Sequence, residues 1–384
     1  MNSKQNSKLY ILIVVGFVSA FGPFVTDFYL PALPVISNFF ETSVSMAQLT
    51  LTVSMVGLAI GQLFIGPLSD RYGRKNLLLF SLTFFIFSTI GCLCATTIWQ
   101  FVFFRFIQGL SGAGGVVISK SIAADLYEGK QLAQFFSMLS CIQGLAPICA
   151  PVLGGLLLTV TDWRGIFCVL LIVGFMLAIA ILWFKESSKG YNGNLKSAFI
   201  GFVPILKNRK FMQYVMVQVS AMGVMFTYIS ASPFIFQVHY GLSPVVYGLL
   251  FGVNALGIMI GSLLVIKVYT IEKGLLVGAK GLMIMSLVVG VTLILGLSIW
   301  FVEVAIFILL FYLGMILPTS TTLSLQLIKV NSGNASAVLG FLTFMIGGIC
   351  SPLAGLGNIL YSTSALMVLC AISSFLFTRT KSLI

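Results

Sequence analysis

An acid inside an apolar run is the first residue in this chain whose type and place could do chemistry. Asp27 follows the apolar stretch from Leu9 to Val25, where an ionised carboxylate is costly unless it meets water, a partner or a cation. A carboxyl whose surroundings alternate between burial and hydration can take up and lose a proton. The bland alternative is a boundary residue, with Tyr29, Pro31 and Pro34 ending the helix at an interface. Arg105 starts a second polar cluster a few residues after Trp99. With antiparallel first and fourth spans it would lie at a depth comparable with Asp27, where a guanidinium that cannot discharge favours release of a nearby proton. Snorkelling of Arg105 to headgroups is the competing reading. Gln108, one helical turn on, extends a polar face towards the interior.

A third cluster runs from Gly66 to Lys75 between two apolar segments. Gly66 and Gly73 permit close approach and a tight turn, while Asp70, Arg71, Arg74 and Lys75 can pair with one another, with helix ends and with lipid headgroups. A topology-setting basic loop explains the cations; it does not explain Asp70, and a latch between helix ends does. In the 131–159 segment, Pro147 and Pro151 bend a helix while Gly144, Gly154 and Gly155 allow a facing helix to come close, forming a hinge or seal. A kink set by packing alone is compatible with the same residues. Phe24, Met55, Gln108, Tyr228, Tyr247, Phe251 and Asn254 offer large adaptable surfaces with few polar handles, as a pocket for lipophilic compounds would.

The elements that carry these residues are set by composition. Of 384 residues, 59% are hydrophobic and 8% charged, with a mean hydropathy of +1.10. A soluble domain would carry about a quarter of its residues charged. Apolar runs are expected at 9–29, 44–66, 76–96, 98–120, 131–159, 165–184, 211–236, 244–267, 275–297, 300–325, 334–356 and 360–378, a total of about twelve transmembrane helices. The first run is too long for a signal-peptide core and is expected to stay in the mature chain. The Lys- and Gly-rich stretch 185–210 divides the spans into an N-terminal bundle, 1–184, and a C-terminal bundle, 211–384.

Basic residues cluster on one side of these spans, while the other side holds little beyond Glu41, Asp162, Arg164, His239 and Glu303, so both termini are expected in the cytoplasm. The net charge of +12 is dispersed between apolar segments without a nucleic-acid-binding module, and its expected partner is the membrane surface. The seven cysteines show no CxxC pairing and form no expected metal site. No Walker A, HExxH or G-x-S-x-G pattern supports ATP coupling or an enzyme.

Gly66-Pro-Leu-Ser-Asp-Arg-Tyr-Gly-Arg-Lys75 resembles the loop between the second and third helices of the major facilitator superfamily. Thr26-Asp-Phe-Tyr-Leu-Pro-Ala-Leu-Pro34, Arg105-Phe-Ile-Gln-Gly109 and Asp162-Trp-Arg-Gly-Ile-Phe167 extend the resemblance to its drug:proton antiporter branch, in particular the bicyclomycin and chloramphenicol resistance group. The similarity is strongest over the first half; Phe251 to Gly257 is the best echo in the second, and 267–273 lacks the Asp-Arg-Gly-Arg pattern. Gln143 to Gly155 resembles the antiporter motif, with Ala150 where a Gly is usual.

The resemblance implies an all-α polytopic fold of two six-helix bundles, proton coupling through Asp27 and Arg105, and a latch at Gly66 to Lys75. It also implies proton-coupled efflux of small amphipathic compounds, including antibiotics, by a monomer in the bacterial inner membrane, with the proton gradient in place of a cofactor. A metabolite or organic-anion antiporter, an importer, and a membrane protein without transport remain as alternatives.

Overall fold

The computed structural model describes residues 8–127, 129–187, 201–328 and 332–379. The first half comprises α1 (Lys8–Asp27), a 3-10 turn (Leu30–Ala32), α2 (Leu33–Phe39), α3 (Val44–Tyr72), α4 (Arg74–Cys94), α5 (Ile98–Leu126), α6 (Gly129–Leu157) and α7 (Trp163–Trp183). The second comprises α8 (Phe202–Lys207), α9 (Arg209–Pro233) with a π-helical extension (Phe234–His239), α10 (Pro244–Val268), α11 (Ile271–Ile294), α12 (Ile299–Gln326), α13 (Ser332–Ala354) and α14 (Ile359–Arg379). Side-chain oxygens start several of them: Ser43, Thr97, Asp162, Asn208, Ser243 and Thr270 each accept from a backbone N–H of the first turn.

Ten helices among the described residues are long and apolar enough to cross a membrane, or eleven if the bent pair Tyr10–Gly22 and Phe24–Phe39 is counted as one span. Of the twelve runs expected, 131–159 falls on α6, whose apolar stretch Ile142–Leu157 is shorter than the others. Half of the expected linker, 188–200, and the chain ends 1–7 and 380–384 lie outside the described residues, while the rest of it carries α8 and the first residues of α9.

Two expectations are corrected. The first span does not end at Tyr29 to Pro34. It bends by 43° near Pro23 and continues to Phe39, because Pro31 and Pro34 occupy the first positions of the 3-10 turn and of α2, where no backbone N–H is needed. Nor is Gly66 to Lys75 a loop. Helix α3 carries Pro67 inside it and runs on to Tyr72, and α4 begins at Arg74. Gly73, at φ +92°, makes the whole reversal alone, a conformation open to glycine at little cost. Gly66 needs no special allowance, since a Cβ there would meet only Val117 at 3.7 Å.

Close backbone contact organises both halves. In the first, α5 packs on α1, α3 and α4, and a Cβ on Gly109 would stand 1.9 Å from the Ser54 carbonyl oxygen of α3. In the second, α12 packs on α9, α10 and α11, and a Cβ on Gly314 would stand 2.1 Å from the Ile258 carbonyl oxygen of α10. Where lipid gives no hydrophobic drive, such backbone approach supplies the packing. The halves meet through α3 against α13 and α6 against α10.

Candidate functional site

A cavity of about 590 Å³ lies between the halves, within the range of small-molecule sites. Its walls are mostly apolar, with Met55, Met222, Met225, Phe226, Tyr228, Phe251 and Phe344 among them. The polar groups are few: Thr26 and Asp27 on α1, Gln62 on α3, Lys120 on α5, Gln143 on α6, Gln218 on α9, and Thr321, Ser336 and Thr343 on α12 and α13. The cavity is shut at the end that carries Asp162. There a Cβ on Gly155 would stand 2.4 Å from the Pro244 carbonyl oxygen and one on Gly248 2.6 Å from that of Pro151, while Gln237 Nε2 donates to Pro31 O at 3.1 Å. Gln48 Nε2 donates to Ser230 O at 2.9 Å and Ser45 Oγ to Pro352 O at 2.9 Å, joining the halves again at the same end. Lys120, exposed, marks the side towards Gly73.

Asp27 is 6% exposed, and its Oδ1 accepts from Thr26 Oγ1 at 3.0 Å. It sits at the end of α1 just before the backbone breaks into the 3-10 turn, so its carboxyl reaches the cavity wall instead of an interface. Arg105 is fully buried but makes no ion pair with Asp27. Its guanidinium lies 4.0 Å from the centre of the Tyr29 ring and 5.8 Å from that of Phe167. Its Nη1 donates to Gln108 Oε1, Gln108 Nε2 donates to Thr89 Oγ1 at 2.8 Å, and Tyr29 in turn pairs with Thr50 at 3.3 Å. The cation is thus held by π faces and one amide, with Nε and Nη2 lacking hydrogen-bond partners among the described residues.

Of the expected pocket residues, Met55, Tyr228 and Phe251 line the cavity. Phe24 stacks on Phe28 instead, with ring centres 4.8 Å apart, and Gln108 is spent on Arg105. Tyr247 hydrogen-bonds Ser232 at 3.2 Å behind the wall, and Asn254 Nδ2 donates to Tyr228 Oη at 3.0 Å. In the expected hinge, Gly154 and Gly155 take backbone at van der Waals limits, Pro147 lines the cavity and the Pro151 carbonyl faces Gly248. Gly144 departs from expectation: nothing lies within 4 Å of a Cβ there, so it seals no contact.

The cluster around Gly73 is centred on Arg74 more than on Asp70. Arg74 pairs with Asp70 at 2.5 Å and through Nε with Asp125 of α5 at 2.9 Å, and its Nη1 donates to Ser69 Oγ at 2.5 Å. Glu186, beyond the end of α7, accepts from the backbone N–H of Arg74 at 2.9 Å and of Lys75 at 3.0 Å, occupying the positive end of α4. Lys75 Nζ donates to Leu182 O at 2.6 Å, and Arg71 lies 5.5 Å from the Tyr72 ring centre. These contacts bind α3, α4, α5 and the end of α7 to one another. The Arg74 side chain is 9% exposed, against 22% for Asp125 and 44% for Asp70. Arg74→Ala should therefore lower stability by about 2 kcal/mol, below the range for fully buried pairs, whereas Asp70→Asn should cost under about 1 kcal/mol. Thermal unfolding of purified protein checks the order, and equal losses would remove Arg74 from the centre of the cluster.

Two charged residues were not assigned a site by sequence reasoning. Lys120 stands in the cavity wall; the available signal was a lysine at the end of the apolar run 98–120, which the helix carries on to Leu126. Glu303 was expected in an outer loop. It lies inside α12, 6% exposed, because the helix starts at Ile299 and turns this position inward.

A sequence model described as Major Facilitator Superfamily matches residues 12–355. The chain is 36% identical over 367 residues to a protein of Bacillus subtilis strain 168 named "Uncharacterized MFS-type transporter YdgK", covering 93% of this chain and 91% of that one. It is 27% identical over 369 residues to the bicyclomycin resistance protein homolog of Haemophilus influenzae, covering 92% and 90%. Among solved structures, it is similar in fold to a bacterial homolog of the human lysosomal transporter Spinster in an inward-facing, occupied conformation, at a TM-score of 0.76 and 17% identity over 98% of each chain. The D-xylose-proton symporter matches at a TM-score of 0.75 and 16% identity over 97% of this chain and 98% of that one.

Proposed function

The chain belongs to the Major Facilitator Superfamily, and on that premise we propose that it exports small amphipathic compounds, drugs and antibiotics among them, in exchange for protons. It is a multi-pass membrane protein and a secondary transporter of small molecules, not an enzyme. The observation that carries the finer reading is Asp27: a buried carboxyl, in no ion pair among the described residues, in the mostly apolar wall of a cavity between the halves. A proton taken up there from one side and released to the other, as the halves rock, couples the gradient to substrate movement. Relatives named for bicyclomycin, chloramphenicol and multidrug resistance support the choice of substrate class.

In this reading the Gly73 end, with its excess of Lys and Arg, faces the cytoplasm of a bacterial inner membrane, and the two halves act as six-helix bundles within one monomer. The cavity is then accessible from inside, where substrate is loaded. Asp70 and Arg74 hold the inner ends of the first bundle as a unit, and Arg105 keeps a fixed positive charge near the outer end of the site.

Lys120 favours one rival. A cation in the cavity wall suits an organic anion, the cargo of a metabolite antiporter. Proteoliposomes with an imposed pH gradient separate the two readings. Chloramphenicol and ethidium, a neutral and a monocationic probe, should show saturable efflux that a protonophore collapses. Transport of a dianionic dye alone, lowered by about tenfold or more in Lys120→Ala, would replace drug export with organic-anion exchange.

A further inference from the structure

Glu303 is the second buried acid of the transmembrane region, and the site described above does not use it. Its side chain belongs to α12, one turn beyond the helix start, and both carboxyl oxygens are shut off from solvent, with the Asn254 carboxamide the one group among the described residues near enough to approach them and no bond of good geometry formed. The polar groups it faces are the Asn254 carboxamide of α10 and the Tyr228 phenol of α9. Asn254 Nδ2 is given to Tyr228 Oη at 3.0 Å, and Asn254 Oδ1, also buried, has no donor. Three unpartnered acceptor oxygens, two of Glu303 and one of Asn254, face only two remaining donors among the described residues, the second Asn254 N–H and the Tyr228 hydroxyl, so an ionised Glu303 leaves at least one acceptor without hydrogen. A proton on Glu303 supplies the missing donor, and the neutral carboxyl is the form such surroundings tolerate.

Among the described residues no cation pairs with Glu303, and His239, at the same end of the fold, is exposed at the surface. Helix α9 brings Tyr228 and α10 brings Asn254 and Tyr247, while the described part of α13 carries no charged residue. On α11 the nearest charged position is Lys280. It neighbours Gly281, which packs against Tyr312, nine residues further along α12 than Glu303 and about 13 Å away along the axis.

Glu303 is also one side chain away from the cavity. Tyr228 and Phe251, stacked with ring centres 5.5 Å apart, form that stretch of its wall, and Asn254 lies behind them. We propose that Glu303, with Asn254 and Tyr228, is a second proton-carrying site, placed in the half opposite Asp27, so that each cycle exchanges two protons. The proton leaves Glu303 when rearrangement of the Tyr228 wall admits water, and it returns before the wall closes. The cost of an ionised, unpaired carboxylate then opposes closure until Glu303 is reloaded.

This inference rests on the proton-exchange reading, and the test separates the two. Full-length protein in liposomes is examined by pH-difference infrared spectroscopy above about pH 6, where ordinary surface carboxyls are already ionised. Two titrating carboxyl C=O bands are expected, one lost in Asp27→Asn and the other in Glu303→Gln. With the membrane potential held at zero, ethidium is then allowed to reach its steady gradient against a roughly tenfold proton gradient: exchange for two protons sets a ratio of about a hundredfold, and Glu303→Gln should reduce it to about tenfold. Glu303→Asp, which keeps a titratable group, should restore both the band and the ratio. A Glu303→Gln spectrum identical to wild type, or an unchanged ethidium ratio, overturns the second site while Asp27 stands. Loss of pH dependence in none of the variants overturns the proton-exchange reading, and the second site with it.

Discussion

Asp27→Asn inserts and unfolds like the wild type but loses pH-gradient-driven export by about a hundredfold, the scale on which a positioned proton-transfer group contributes. The amide keeps the size of the side chain and can still meet Thr26, so the cavity wall is retained while the titratable proton is gone. Exchange of substrate down its own gradient should survive, because that step needs rocking and not proton transfer. The measurement is ethidium flux in proteoliposomes with and without the pH gradient. Full gradient-driven export by a folded variant would take coupling away from Asp27, and loss of both fluxes would make the residue structural.

The second large effect is steric. Gly155→Ala and Gly248→Ala place a methyl 2.4 and 2.6 Å from backbone oxygens of the facing helix, at the end where the cavity is closed. Overpacking of this kind costs about 1–3 kcal/mol. The clash exists only while α6 and α10 touch there, so the cost falls on the closed arrangement and shifts the balance towards opening at that end by roughly ten- to a hundredfold. Spin labels at the exposed Val160 and Val238 should report a longer separation. Gly109→Ala is the contrasting case: its methyl would meet the Ser54 carbonyl inside the first half, in a contact the halves keep as they move, so it should lower thermal stability without lengthening that distance. Unchanged label separation in both interface variants would mean that α6 and α10 do not seal the cavity.

What the sequence made legible follows from the solvent each residue meets. Apolar runs could be read because lipid demands them, and α3, α5 and α12 lie where hydropathy puts them. Charge within a short stretch could be read as well, hence the cluster around Gly73. Its partners could not: Asp125 lies 51 residues and Glu186 112 residues from Arg74, and only folding brings them together. The same limit applies to Arg105. Its depth suggested a pairing with Asp27, but Tyr29, two residues past the acid, takes the cation on its ring. Glu303 was misplaced for another reason. It lies in the first turn of the expected run 300–325, whose start falls within one residue of that of α12, and counting it with the outer side overlooked that the first turn of this helix is already interior.

The single-residue joint at Gly73 has a mechanical side. Helices α3 and α4, with one residue between them, have no slack in which relative motion could be lost. Met55 touches the cavity, and Tyr72 lies seventeen residues further along the same helix, a lever arm of about 25 Å. A tilt of a few degrees at Met55, forced by the bulk of whatever occupies the cavity, becomes a displacement of ångströms at Tyr72. Gly73 hands that displacement on to Arg74 and, through it, to Asp125 and Glu186. In the proposed export cycle, a load on Met55 would reach the far surface of the protein by leverage along α3, with Pro67 the one place on the way where the helix can yield.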